Sequence, residues 1–123
     1  MAKLNRDEDR EERIAMEVVV DAYGPEEQAM GWYYYLQDTM QFPFTATCIT
    51  KRRTSPLKEG AKVKVVGMAP TDECEREMFV EIAWEGDCLA VPLIQLAAPK
   101  VDEETQQAIA DWHYWVNQGR EFG

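Results

Sequence analysis

Histidine is almost missing from this chain: His113 is the single one in 123 residues. Between Trp112 and Tyr114 on a helical stretch it reads as a packed or surface residue rather than a general base. Cysteine is scarce too. Cys48, Cys74 and Cys88 are odd in number and show no C-x-x-C spacing, so neither a disulfide framework nor a thiolate zinc site is indicated, and the expected setting is a reducing cytoplasm. Basic residues fall well short of acidic ones, 13 Lys and Arg against 23 Asp and Glu, for a formal charge of −10 and a pI near 4.5. Such a balance disfavours phosphate-backbone binding and favours either a solvated surface or attraction of cations. No run of about 18 apolar residues exists to span a bilayer. The start, Met1 to Arg10, is too charged for a signal peptide. Internal repeats and low-complexity tracts are lacking, as are G-x-S-x-G, P-loop, H-E-x-x-H and EF-hand patterns. No enzyme is expected, although Cys74 beside Arg76, or His113, are the residues a small hydrolase or redox protein would use.

What is present is aromatic bulk, concentrated between residues 22 and 46. Gly24-Pro25 followed by Glu26 and Glu27 is a helix start, because proline there gives up only an unpaired donor and the carboxylates suit the dipole. Ala29, Trp32, Tyr33, Leu36 and Met40 recur at three- and four-residue spacing, predicting a helix over 25–40 with one large apolar face. Phe42-Pro43-Phe44 ends it, since the residue before proline is pushed out of the helical region. Before it, 7–22 reads as another helix, with Ile14, Val18 and Ala22 in one row and Ala15 and Val19 in the next. The tight link at Tyr23-Gly24-Pro25 crowds Asp21, Glu26 and Glu27 at the corner.

From Phe44 the period changes to two. Phe44 to Thr50, Val63 to Met68, Glu77 to Trp84 and Cys88 to Leu93 read as strands within 44–93, with Val63 and Val65 inward, Lys62 and Lys64 outward, and a hairpin turn at Glu85-Gly86-Asp87. Short strands joined by small turns predict a closed SH3-like antiparallel β-barrel, the economical way to remove sheet edges. Asp102 as N-cap opens a third helix over 102–118, with an apolar stripe of Ala108, Ile109, Trp112, Trp115 and Val116 whose two tryptophans must be buried, and Gly119 as its stop. The expected architecture is one α+β domain over 1–123: an N-terminal helix pair, the small barrel and a C-terminal helix.

The remaining chemistry is acidic density beside carbonyl-rich turns. Asp38 and Thr39 fall at the end of the second helix, where backbone carbonyls lack intrahelical partners. A carboxylate beside free carbonyl oxygens suits a hard cation, and calcium, which takes six to eight oxygens, needs two or more carboxylates to converge with them. Glu26 and Glu27, with Asp21, sit about 18 Å away along the helix and would define a second site. Glu81, Glu85 and Asp87 in the hairpin are alternatives for completing the first.

The strings Met16-Glu-Val-Val-Val-Asp-Ala-Tyr-Gly, Glu27-Gln-Ala-Met-Gly-Trp-Tyr-Tyr-Tyr-Leu, Phe42-Pro-Phe-Thr-Ala, Val91-Pro-Leu-Ile-Gln-Leu and Asp111-Trp-His-Tyr-Trp-Val, in that order, resemble the cyanobacterial calcium-binding protein family, CcbP. The resemblance implies a cytoplasmic, non-EF-hand calcium binder that buffers free calcium, with effects on heterocyst differentiation. It carries Asp38 over as a ligand through the Tyr-Leu-x-Asp string. The competing reading is an acidic SH3-like interaction module that docks a basic partner.

Overall fold

The first helical turn starts at Asp7, whose carboxylate accepts the Arg10 N–H at 3.0 Å. In this computed structural model, which describes residues 7–120 and Phe122, helix α1 spans Glu8–Arg13 and widens into a π turn over Ile14–Val18. The helix ends there and not at Ala22 as expected. Val18 is where the next helix crosses: a Cβ added to Gly31 would sit 2.2 Å from the Val18 carbonyl oxygen, so only glycine admits the approach. Asp21 then takes a positive φ of 57° and turns the chain. Helix α2 spans Pro25–Thr39, and its opening is tied by Glu27 Oε1, which accepts the N–H groups of Gly24 at 3.0 Å and Tyr23 at 3.1 Å. Helix α3 spans Glu103–Asn117, with Asp102 accepting the Thr105 N–H at 3.0 Å and its hydroxyl at 2.7 Å, and Gly119 stops it at φ 77°.

The predicted apolar rows pack against each other. Ala29, Trp32, Tyr33, Leu36 and Met40 are buried, as are Ala108, Ile109, Trp112 and Trp115. The Trp32 ring meets Trp112 edge-on at 5.0 Å between centroids and Trp115 at 5.5 Å. Each such aromatic contributes about 1.5–3 kcal/mol by burial, with roughly 0.5–1.5 kcal/mol more per ring pair.

One residue in the α3 stripe breaks the pattern. Asp111 is fully buried, and it accepts Arg13 Nε at 3.0 Å, Arg13 Nη2 at 2.7 Å and the Tyr35 hydroxyl at 2.6 Å. Arg10 Nε adds an ionic contact at 3.2 Å. Helices α1, α2 and α3 therefore meet on one carboxylate. The hydrogen bonds that Arg13 donates to Asp111 hold its guanidinium above its ordinary pKa, and burial, followed by the bond donated to Asp111, pushes the Tyr35 phenol up. A second clasp joins α1 to α3: Arg120 Nη2 and the Tyr114 hydroxyl donate to Glu11 at 2.7 and 2.6 Å.

Strands β1 (Phe44–Cys48), β2 (Lys62–Met68), β3 (Phe79–Trp84), β4 (Asp87–Pro92) and β5 (Leu96–Ala97) form one antiparallel sheet in the order β4-β3-β2-β1-β5. Val63 and Val65 face inward and Lys62 and Lys64 outward, as the alternation predicts. The β3–β4 turn is the two-residue Glu85-Gly86, both at positive φ, with Asp87 already in β4. Strand β5, beyond Leu93, escapes the sequence reading because two residues carry no periodicity.

The closed SH3-like barrel is not what forms. Strand β4 pairs with β3 and β5 with β1, and no ladder joins β4 to β5. The sheet is nonetheless curled. In a flat sheet β4 and β5 would be about 19 Å apart by strand spacing, whereas the 3₁₀ turn Leu93–Gln95 links Pro92 to Leu96 across at most about 14 Å of chain. Curling brings the edges close, and the shortness of β5 leaves the seam unzipped. Burial of Leu93, Leu96 and Gln95, whose side-chain amide donates to the Thr50 carbonyl at 3.0 Å, fills that seam instead.

Asp111→Ala, which strands the Arg13 charge, is expected to cost about 3–5 kcal/mol in urea unfolding; a loss below about 1 kcal/mol would mean that the carboxylate is not a structural anchor. Gly31→Ala is expected to cost at least about 1–3 kcal/mol by overpacking against the Val18 carbonyl, read in the same measurement.

Candidate metal centre

Two hydrogen bonds set where the end of α2 lies. Tyr35 reaches Asp111, and the Gln41 N–H donates to Thr105 Oγ1 at 2.9 Å. Position advances along α2 as it retreats along α3, so the two helices pack antiparallel. The C-terminal end of α2 thus sits beside the N-terminal end of α3, a favourable arrangement of dipoles.

The same bonds leave oxygens open. In a continuing helix the Gln41 N–H would satisfy the Gln37 carbonyl, but it is spent on Thr105. The donor due to Thr39 would come from position 43, a proline with no N–H. The last backbone closure is Met40 N–H to the Leu36 carbonyl at 2.9 Å, and no backbone bond among the described residues reaches the carbonyls of Gln37, Asp38 or Thr39. Asp38 is exposed and Thr39 half-buried beside them. Carboxylate, hydroxyl and carbonyl oxygens together form a hard donor set, the chemistry calcium takes. The chain leaves through a cis Phe42–Pro43 bond into β1.

The other candidates are distributed. Glu27 is engaged in capping α2, and Asp21 Oδ1 lies 3.5 Å from the Tyr23 hydroxyl. Glu26 lines a cleft of about 590 Å³ opposite Asp72, Glu75 and Arg76. In the sheet, Phe44 lies opposite Val65 and Val65 opposite Ile82. Strands β1 and β3 run in the same direction from that level, so the Glu85-Gly86 turn and Asp87 lie about 10 Å further on and two strands over, away from where α2 feeds into the sheet. Glu81 is also two strands across, half-buried. Register therefore draws Glu85 and Asp87 away from Asp38, while Glu81 stays near the level where α2 joins the sheet and acts electrostatically on Tyr33 of α2. Among the described residues no group of three or more His, Cys, Asp or Glu side chains converges on a common point.

Sequence reasoning did not connect the end of α2 with the start of α3, where Asp102 is the N-cap and Glu103 and Glu104 stand in the first turn. Nothing local links them to Asp38. The faint signal was Thr105, a polar residue at the start of an apolar stripe, which proves fully buried and joins the two helices. The Thr105 hydroxyl, then its N–H, holds the Asp102 carboxyl below the usual range. Cys74 is buried, and burial pushes its thiol up, which makes it a poor nucleophile. Burial likewise lowers the His113 pKa against the opposing pull of the Leu96 and Leu93 carbonyls.

The family model Calci_bind_CcbP, described as calcium binding, matches residues 12–116. The crystal structure of Anabaena CcbP superposes with a TM-score of 0.85 at 50% sequence identity, over 97% of this chain and 98% of that one. A structure described as a calcium binding protein in the calcium-binding form gives a TM-score of 0.83 at 49% identity, over the same 97% and 98%. None of the curated protein sequences matches.

Thr105→Val removes the hydroxyl that donates to Asp102 and accepts from Gln41 while keeping the capped backbone N–H, and is expected to cost about 1–2 kcal/mol at neutral pH. Because the folded pKa of Asp102 is depressed, its contribution is present above the unfolded value of about 4 and is lost as pH falls through the folded one. The difference in stability between parent and Thr105→Val should therefore shrink below about pH 4; a constant difference down to acid unfolding would show that the Asp102–Thr105 bond is unimportant.

Proposed function

The chain belongs to the CcbP calcium-binding family, and on that premise we propose that it binds calcium, with its strongest site at the C-terminal end of α2. The observation that carries this is the open carbonyl set at Gln37, Asp38 and Thr39, produced by Gln41 and Pro43 and set beside an exposed carboxylate. When bound, calcium supplies a double positive charge that offsets both the negative helix end and the Asp38 carboxylate, which otherwise oppose each other by about 0.3–1 kcal/mol. Asp38 holds the ion through its carboxylate and Thr39 through oxygen. The α3 acids Glu103 and Glu104 stand as further contributors in preference to Glu81, Glu85 and Asp87. Asp21, Glu26 and Glu27 form a weaker second site at the corner, since Glu27 already serves α2 as a cap.

The role is a calcium buffer or regulator rather than an enzyme, acting in the cytoplasm, and the resemblance extends this to heterocyst differentiation. Supporting the intracellular setting, all three cysteines are free thiols. Supporting the buffering role, the core of Trp32, Leu36 and Trp112 is held by apolar burial and offers no ligating oxygen, so calcium loading should leave the fold as it is.

Calorimetric titration with calcium in magnesium excess tests the site. Asp38→Asn should lower the strongest affinity by about tenfold or more while melting like the parent in chelator, and Glu12→Gln, an exposed α1 carboxylate, should leave the titration unchanged. Parent-like affinity in Asp38→Asn would move the primary site elsewhere. Calcium should also raise the melting temperature of the parent by mass action.

A further inference from the structure

Large apolar side chains in solvent are few among the described residues, and half of them follow one another closely along the chain. Met16 is 65% exposed, Val20 50% and Tyr23 85%, all within the π turn and the corner that follows it. Tyr34, one turn along α2 from the Gly31 crossing, is 51% exposed. The core gains nothing from these groups, because the buried residues of this segment are Ile14 and Val18. An apolar patch of this kind on a charged protein marks a contact surface.

Charge selects the occupant. From Ile14 to Thr50 there is no Lys, Arg or His, while Glu17, Asp21, Glu26, Glu27 and Asp38 are all exposed. The cations just before this stretch, Arg10 and Arg13, are turned inward onto Asp111. Among the described residues Arg76 is the one cation lining the neighbouring cleft. An anionic membrane or an acidic partner would be repelled, and a second copy would bring the same acids face to face. A basic, amphipathic segment satisfies both features, its apolar face meeting Met16, Val20 and Tyr23 and its cations the surrounding carboxylates. We propose that the α1–α2 corner is a docking surface for a basic amphipathic helix of a partner protein. This surface is separate from the sheet, and it needs no metal.

The test uses a fluorescein-labelled amphipathic helix of about 14 Leu and Lys residues and a Lys/Ser peptide of equal length and charge, with anisotropy read in chelator at about 100 mM salt so that calcium plays no part. The Leu/Lys peptide should bind the full chain about tenfold or more tightly than the Lys/Ser peptide, and the double substitution Met16→Ser, Tyr23→Ser should lower its affinity by about tenfold. The control pair Ile49→Ser, Val66→Ser, at exposed apolar positions on β2 and just after β1, should change it less than twofold. All variants should melt like the parent, since none of the four side chains is buried. Equal binding of the two peptides, or equal losses in the two double variants, would overturn the proposal by reducing the attraction to net charge. Dimerisation of the free chain that Met16→Ser, Tyr23→Ser abolishes would overturn it in favour of a second copy.

Discussion

The architecture depends on one buried carboxylate. Asp111 receives two bonds from Arg13 and one from Tyr35, so a single side chain of α3 fixes the approach of both other helices. A buried charge is expensive unless every oxygen is satisfied and an opposite charge is in contact. That requirement works as a register lock, because sliding α1 or α2 by one residue would leave Asp111 unpaired in the apolar stripe. Tryptophan packing supplies the bulk of the burial, but aromatic contacts tolerate displacement, whereas a bidentate guanidinium bond does not.

The lock has a consequence at a distance. With Tyr35 held by Asp111, α2 runs antiparallel to α3, and Gln41 arrives at Thr105. Spending the Gln41 N–H on a side chain withholds it from the helix, and Pro43 has none to offer, so among the described residues the last carbonyls of α2 are left without a backbone partner next to Asp38. The proposed calcium site is thus built from what a helix end lacks rather than from a dedicated loop. This also explains why no compact motif accompanies it: the oxygens come from the backbone, whose identity the sequence does not spell, and the nearby acids come from a helix more than sixty residues later.

Charge distribution sets the rest of the chemistry. The two arginines that precede the corner in sequence, Arg10 and Arg13, are used inside the fold on Asp111 and do not offset the exposed carboxylates Glu17, Asp21, Glu26 and Asp38 that follow. A formal charge of −10 is therefore sharpened locally, where it favours a divalent cation or a basic partner over any anionic one.

Much of the fold was legible in the residues. The row Ala29, Trp32, Tyr33, Leu36, Met40, the stripe from Ala108 to Trp115, the Gly24-Pro25 and Asp102 starts and the outward lysines of β2 all follow from local periodicity and capping, which depend on near neighbours in the chain. The α1 terminus, the two-residue β5 and the unzipped seam were not legible, because Gly31 stops α1 by contact, β5 exists only by pairing with β1, and closure depends on sheet curvature. Asp38 could be singled out from its position at a helix end. That the end of α2 meets the start of α3 was decided by antiparallel helix packing, through the Gln41–Thr105 bond. The sequence by itself determined most of the elements, the charge and the candidate carboxylate; only the tertiary structure decided which helix start the end of α2 meets, since no local rule couples residue 41 to residue 105.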